Sequence, residues 1–203
     1  MKKTLYLMRH GQTVFNLRGK IQGWCDSPLT AEGIRQAGYA KRYFEEREIA
    51  FDAAYASTSE RAVDTLEVVT SMPYARLKGI KEMNHGTFEG ESEQLHPPFW
   101  FDMNHPDRQL RDEYYVKFGG ESTSQVGTRM CETLTDVMSR DGHDVVLMVS
   151  HIGAMANFLS QVEPNFKIRQ PGGFMFTNCC ILKLEFENGV FSLVDAIEHD
   201  FTV

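Results

Sequence analysis

No apolar run in this chain approaches the roughly 20 residues that a membrane-crossing helix needs, so no transmembrane segment is expected. Cysteine is sparse: Cys25, Cys131, Cys179 and Cys180 contain no C-x-x-C pair and indicate neither a disulfide framework nor a zinc site. There is no Gly/Ser tract, no block of like charge, no low-complexity stretch and no repeat period, hence no linker and no solenoid. Positive charge is also short, with 21 Lys and Arg against 28 Asp and Glu, a formal net charge of −7. That balance argues against a nucleic-acid partner. Small phosphates stay admissible, because donors gathered in a cleft act at short range while surface charge is screened. The stretch Met1–Met8 opens like a signal peptide, but its apolar run stops at Arg9, too short for an h-region. The expected location is therefore the cytoplasm.

What is present fits one domain over residues 1–203, with 42% hydrophobic and 24% charged residues. Leu5-Tyr6-Leu7-Met8 reads as a short buried strand that stops on Arg9-His10-Gly11. In an open α/β sheet, ligands collect at the carboxyl ends of such strands. Arg9 brings a planar fork of donors suited to phosphate or carboxylate, and a neutral His10 can serve as base, metal ligand or nucleophile. A second run, Val145–Ser150, ends in the same way on His151 and leads into an apolar helix-like stretch from Ala154 to Leu159. Two strands that each terminate on histidine, one beside an arginine, point to a shared anionic pocket.

The remaining pattern alternates strand and helix. Thr30 caps a helix running to Glu46, a short strand lies near Ala53–Ala56, and Ser57–Glu60 opens a helix with Arg61 in its first turn. A helix amino terminus suits phosphate, whereas an arginine there is unfavourable to the dipole, so Arg61 is read as a ligand donor or as half of an ion pair. A further helix covers Ser122–Met138, and Asn188-Gly189 joins a strand from about Thr177 to Glu187 to one over Val190–Ile197. Cys179 and Cys180 would point to opposite faces of the first of these strands. The fold class is α/β: a three-layer α/β/α sandwich with a mainly parallel sheet and a C-terminal antiparallel hairpin. His85, His96 and His105 fit no helical ligand pair, so no metal is expected.

These residues resemble the histidine phosphatase superfamily, which includes cofactor-dependent phosphoglycerate mutases and many small phosphatases. The resemblance rests on Arg9-His10-Gly11-Gln12-Thr13 with Asn16, Gln22-Gly23, Ser27-Pro28-Leu29-Thr30, Ser57–Ala62 with Thr65, Glu82 with Gly86 and Phe88-Glu89-Gly90, Gly119–Ser122, and Val149-Ser150-His151. It implies a phosphoglycerate mutase-like fold and a phosphohistidine formed on His10. Arg9, Arg61 and His151 would be donors to the phosphoryl oxygens, and Glu82 the general acid. Asn16, Gln22, Gly23 and Ile152 would complete the phosphate and substrate site, with no metal and no cofactor.

The sequence after Glu82, Met83-Asn84-His85-Gly86, resembles the phosphatase branch, and a cap-like insertion at about 91–118 is short. Its Phe99-Trp100-Phe101 and Tyr114-Tyr115 either line the pocket or pack a small core, and Arg108, Arg111 and Lys117 could serve an acidic substrate. The expected activity is hydrolysis of small phosphorylated metabolites, with mutase-type transfer or a weakly catalytic phosphate-binding module as alternatives. The expected partner is a small phosphorylated substrate, with a homodimer admitted. Ile152 stands where the family commonly has glycine, which narrows the pocket or demands negative φ there.

Overall fold

Side chains that alternate across a pleated sheet divide the apolar residues of this chain between two layers. In the computed structural model, which describes residues 2–100, 107–166 and 174–201, six strands join in one sheet. They are β1 (Lys3–Arg9), β2 (Ala53–Ser57), β3 (Tyr74–Leu77), β4 (Val145–Ser150), β5 (Ile181–Glu187) and β6 (Val190–Ile197), in the order β3-β2-β4-β1-β5-β6. The first four are parallel, and β5 and β6 are antiparallel additions. The helices are α1 (Val14–Leu17), α2 (Ala31–Glu46), α3 (Glu60–Val69), α4 (Arg108–Glu113), α5 (Thr123–Met138) and α6 (Ile152–Val162). None is long and apolar enough to cross a membrane.

Tyr6, Met8, Ala54, Ala56, Leu147 and Val149 face α2 and α3, where Ala37, Ala40, Phe44, Ala62 and Leu66 close one core. Leu5, Leu7, Val146, Met148 and Leu182 face the other way, onto Met130 and Leu134 of α5 and Met155 and Phe158 of α6. This is the three-layer α/β/α sandwich. Chain leaving β1 goes through α2 to β2 on one side of β4, and chain leaving β4 goes through α6 to β5 on the far side of β1. Two adjacent parallel strands whose connections depart in opposite directions leave a crevice beyond their carboxyl ends.

Local chemistry explains most boundaries. Thr30 accepts a hydrogen bond from the Gly33 N–H to start α2, and Ser122 forms a capping box with Gln125 at α5. Asn188 and Gly189 have φ of 53° and 82°, the left-handed pair that a tight hairpin turn needs. One boundary differs from expectation. The strand anticipated from Thr177 begins at Ile181, because Thr177–Cys180 closes as a turn with Cys180 N–H on Thr177 O and Cys179 at φ 58°. Cys179 and Cys180 still pack into opposite layers. β3, four residues long and partly exposed, was not anticipated.

Residues 91–100 and 107–118 lie beside the crevice as short helical turns around Tyr115, which is wholly buried between Phe88, Trp100 and Tyr114. Phe101 and His105 fall outside the described residues. A Ser122→Ala variant is expected to lose about 1 kcal/mol of stability, a fall of roughly 2–4 °C in Tm by thermal melting. An unchanged Tm would remove the capping box as a determinant of α5.

Candidate active site

Register decides which side chains meet. Arg9 pairs with Ser150 across β1 and β4, so the next residues, His10 and His151, leave the sheet together, with ring centroids 5.2 Å apart. The His10 N–H also donates to Ser150 O at 3.1 Å. Between the rings lies Arg61, delivered by the first turn of α3 and fully buried. Its Nε–H is shared by His10 Nε2 at 3.3 Å and His151 Nδ1 at 3.1 Å.

An arginine can only donate, so both of these imidazole nitrogens act as acceptors. The protons must then sit on the opposite ring atoms: His10 Nδ1 donates to Gly11 O at 2.8 Å and His151 Nε2 to Ser57 Oγ at 2.7 Å. Both histidines are held neutral, with pKa values well below the ordinary one. Burial is the largest cause for each, followed by the Arg61 guanidinium. Burial thus outweighs the cationic neighbours, and His151, expected as a donor to the phosphoryl oxygens, is neutral, with Nδ1 accepting from Arg61 and Nε2 bonded to Ser57. His10 is left with its Nε2 lone pair beside a guanidinium, the electronic state a nucleophile requires.

A buried guanidinium needs partners on every side. Arg61 Nη1 donates to Cys25 O at 3.0 Å and Asp26 Oδ1 at 2.8 Å, and Nη2 to Gly23 O at 2.9 Å. These bonds wrap the 23–26 loop around it, and one Nη2 hydrogen is left over from the five. Gly23 therefore meets Arg61 through its carbonyl. A Cβ there would come within 2.3 Å of Met83 O, so the loop can approach only with glycine. Gln22 lines the cavity, but its amide is engaged by Thr13, Ser27 and Asp26.

Arg9 donates from Nη1 to Phe176 O at 2.6 Å, and Phe176 holds a left-handed φ of 56° beside the site. Asn16 accepts from the Thr13 N–H and from Asn178 Nδ2, which leaves its own NH2 group for a ligand. Ile152 opens α6 in ordinary helical geometry, so no positive φ is imposed by the missing glycine.

Glu82 is buried and sits on the amino end of α6. Its Oε1 accepts the N–H groups of Met83 at 2.7 Å and Ala154 at 2.8 Å, and Oε2 accepts that of Gly153 at 2.9 Å. A carboxylate oxygen has two lone-pair sites, so Oε1 is filled and Oε2 keeps one. A Cβ at Gly153 would lie 2.6 Å from Oε1, so this seat also depends on glycine.

Arg9, His10, Asn16, Gln22, Glu82 and Ile152 line one cavity of about 530 Å³, with Arg61 and His151 immediately behind His10. The opposite wall carries His85, His96 and Trp100, with His96 stacked on Trp100 and bonded to the Tyr115 hydroxyl. The aromatics of the insertion thus divide, Trp100 lining the pocket and Tyr115 packing the core. Arg111 reaches the cavity, Lys117 lies over Tyr114 and Phe118, and Lys20 was not foreseen. Among the described residues no group of His, Cys, Asp and Glu could hold a metal ion.

Sequence reasoning also missed the residues that hold the site. Asn178 donates to His10 O at 3.1 Å, Ser57 seats His151, and Thr65 accepts the Gly11 N–H at 3.0 Å while donating to Arg61 O. Ser57 and Thr65 fall inside the motif blocks, but Asn178 lies in a stretch that reads as strand.

The two imidazoles set a pH dependence. Unfolded histidine takes up a proton near pH ~6.5 and the native rings do not, so stability is full above that value and falls as acid approaches the lower native pKa values. Tm is expected to decline between about pH 7.5 and 5, with a shallower slope in His10→Gln and His151→Gln variants. Identical slopes in all three proteins would contradict this.

A profile of the histidine phosphatase superfamily (branch 1) matches residues 5–198. A 2,3-bisphosphoglycerate-dependent phosphoglycerate mutase from Rhizobium etli is 31% identical over 172 residues, 80% of this chain and 81% of that protein. The structure of a phosphoglycerate mutase from Bacillus anthracis superposes with a TM-score of 0.81 at 22% identity, over 97% of this chain and 92% of that one. A phosphoserine phosphatase from Entamoeba histolytica, solved with 3-phosphoglyceric acid, gives 0.76 at 25% identity, over 97% and 98%. With this match across nearly its whole length, the chain belongs to the histidine phosphatase superfamily.

Proposed function

We propose that this chain hydrolyses small phosphate monoesters without a metal, through a phosphohistidine on His10. The observation that carries this reading is the tautomer of His10, whose Nδ1–H is tied to Gly11 O and whose Nε2 lone pair stands free of a proton beside Arg61. In the first step Nε2 attacks phosphorus and the bond from phosphorus to the leaving oxygen breaks. Glu82 Oε2, the oxygen with a vacant lone-pair site, carries the proton that this oxygen takes up. In the second step a water oxygen attacks the phosphohistidine and gives a proton back to Glu82. The bond from Nε2 to phosphorus then breaks, and inorganic phosphate leaves.

Phosphoryl transfer is mostly positioning and charge stabilisation. Arg9, the remaining Nη2 hydrogen of Arg61 and the NH2 of Asn16 supply donors, and His151 holds Arg61 and His10 in place through their shared Nε–H. Gln22 and Gly23 contribute through the loop they brace, and Ile152 bounds the leaving-group side. Residues 91–100 and 107–118 act as a cap in this reading, with His96, Trp100 and Arg111 toward the leaving group.

The second reading, phosphoryl transfer to a substrate hydroxyl in place of water, is favoured by the 31% identical mutase. Both share the first step and divide on the acceptor. Hydrolysis is supported by the aromatic character of the outer wall, whose basic groups on the cavity are only Lys20 and Arg111 among the described residues besides those already assigned.

With p-nitrophenyl phosphate, wild-type activity is expected to persist in chelator and to vanish in His10→Ala. Wild-type turnover in that variant would end the covalent route, and full loss in chelator would indicate a metal enzyme. Glu82→Gln is expected to lower turnover roughly 10²–10⁴-fold for poor leaving groups. Release of inorganic phosphate from 3-phosphoglycerate, measured against formation of its isomer, decides between hydrolysis and transfer.

A further inference from the structure

The peptide that carries Glu82 is gripped from below as firmly as its carboxylate is seated from above. Arg129, on α5, places all five of its N–H donors on one short stretch and one partner. Nη1 donates to Gly79 O at 2.9 Å and Lys81 O at 2.6 Å, and Nη2 donates to Glu82 O at 2.9 Å. Nε and the other Nη2 hydrogen form a bidentate pair with Glu121 at 2.8 and 3.0 Å. Glu121 Oε2 also accepts the Asn84 N–H at 2.8 Å, so the pair spans both sides of Glu82. From the other side the Trp24 indole donates to the same Glu82 carbonyl at 2.9 Å. The loop has no slack against the helix: a Cβ at Gly79 would fall 1.8 Å from Thr133 Oγ1 of α5.

We propose that Arg129, paired with Glu121, is a positioning residue for the proton donor, acting through the Glu82 peptide to aim Oε2 at the leaving oxygen. This rests on the reading of Glu82 as that donor. The ion pair is partly buried, with side chains 20% and 18% exposed, and its two parallel hydrogen bonds add geometric specificity as well as energy. What this one supplies is direction, because a planar guanidinium fixes the carbonyl acceptors of Gly79, Lys81 and Glu82 in an array that a lysine ammonium cannot match in one geometry. The Glu82 side chain has its own N–H seat on α6, so the two grips must agree in register. Release of the lower one lets the backbone turn and carries Oε2 away from its line. Displacements of about 1 Å in catalytic groups cost on the order of 10²-fold in rate.

The test uses two substrates of one shape and different leaving-group quality, phenyl phosphate and p-nitrophenyl phosphate. Only the poorer leaving group, phenoxide, depends strongly on a proton donor. Arg129→Gln is expected to lower kcat/KM, which reads the step that forms the phosphohistidine and not its hydrolysis, by about 10²-fold for phenyl phosphate and by no more than about threefold for p-nitrophenyl phosphate. Arg129→Lys should fall between this variant and wild type. A Glu82→Gln/Arg129→Gln double variant should be no slower on phenyl phosphate than Glu82→Gln alone, because both changes remove one function. Equal slowing of both substrates by Arg129→Gln, or losses that multiply in the double variant, would overturn the proposal and leave Arg129 a stabilising residue only. If Arg129→Gln does not fold by circular dichroism, Glu121→Gln carries the same comparison, since it withdraws the charge from the bidentate pair. Failure of the underlying reading is separate: Glu82→Gln would then slow both substrates alike. A leaving-group effect in Glu82→Gln without one in the Arg129 and Glu121 variants overturns the positioning role alone.

Discussion

One N–H, that of Arg61 Nε, organises this molecule's chemistry by lying between two imidazoles. A fully buried guanidinium is tolerated only when its donors are satisfied. The loop at residues 23–26 therefore wraps it with carbonyls and the Asp26 carboxylate, and the two histidines face it with lone pairs. Their protons are pushed to the far ring atoms, where Gly11 O and Ser57 Oγ take them. The tautomer that the proposed nucleophile requires follows from satisfying a buried charge.

The sheet makes that arrangement geometrically cheap. Parallel pairing of β1 with β4 sets Arg9 opposite Ser150, and both strands end at the crevice formed where their connections diverge. α6 starts directly after His151, so its first N–H groups, with the positive end of its dipole, are presented to Glu82. The imidazoles of His10 and His151 and the Arg61 guanidinium thus come from three strand-to-helix junctions, and the Glu82 carboxylate from one loop braced on α5. Rigid elements supply most of the precision.

Much of this was legible because the signals are local. Thr30, Ser122 with Gln125, and Asn188-Gly189 mark boundaries through side-chain caps and left-handed turn residues. Apolar runs that stop on Arg9-His10 and on His151 mark the two functional strand ends. What stayed hidden depends on partners distant in sequence. Thr177–Cys180 has strand-like composition, yet Glu198 takes the Thr177 N–H and Arg9 takes Phe176 O, which holds that stretch off the ladder as a turn. β3 has only four residues and no clear alternation of burial. Asp26, Asn178 and Arg129 have no motif of their own, and their importance lies in carbonyls and charges contributed by other segments.

The central claim is that phosphorus is covalently transferred to His10. Rapid quenching of the enzyme with a phosphomonoester, followed by peptide mass spectrometry under non-acidic conditions, tests it most directly. A phosphoryl mass increment that is lost in acid, located on the peptide containing His10 and absent from His10→Ala, is the result this account predicts. Phosphate release at full rate with no such adduct, or an adduct on His151, would contradict it.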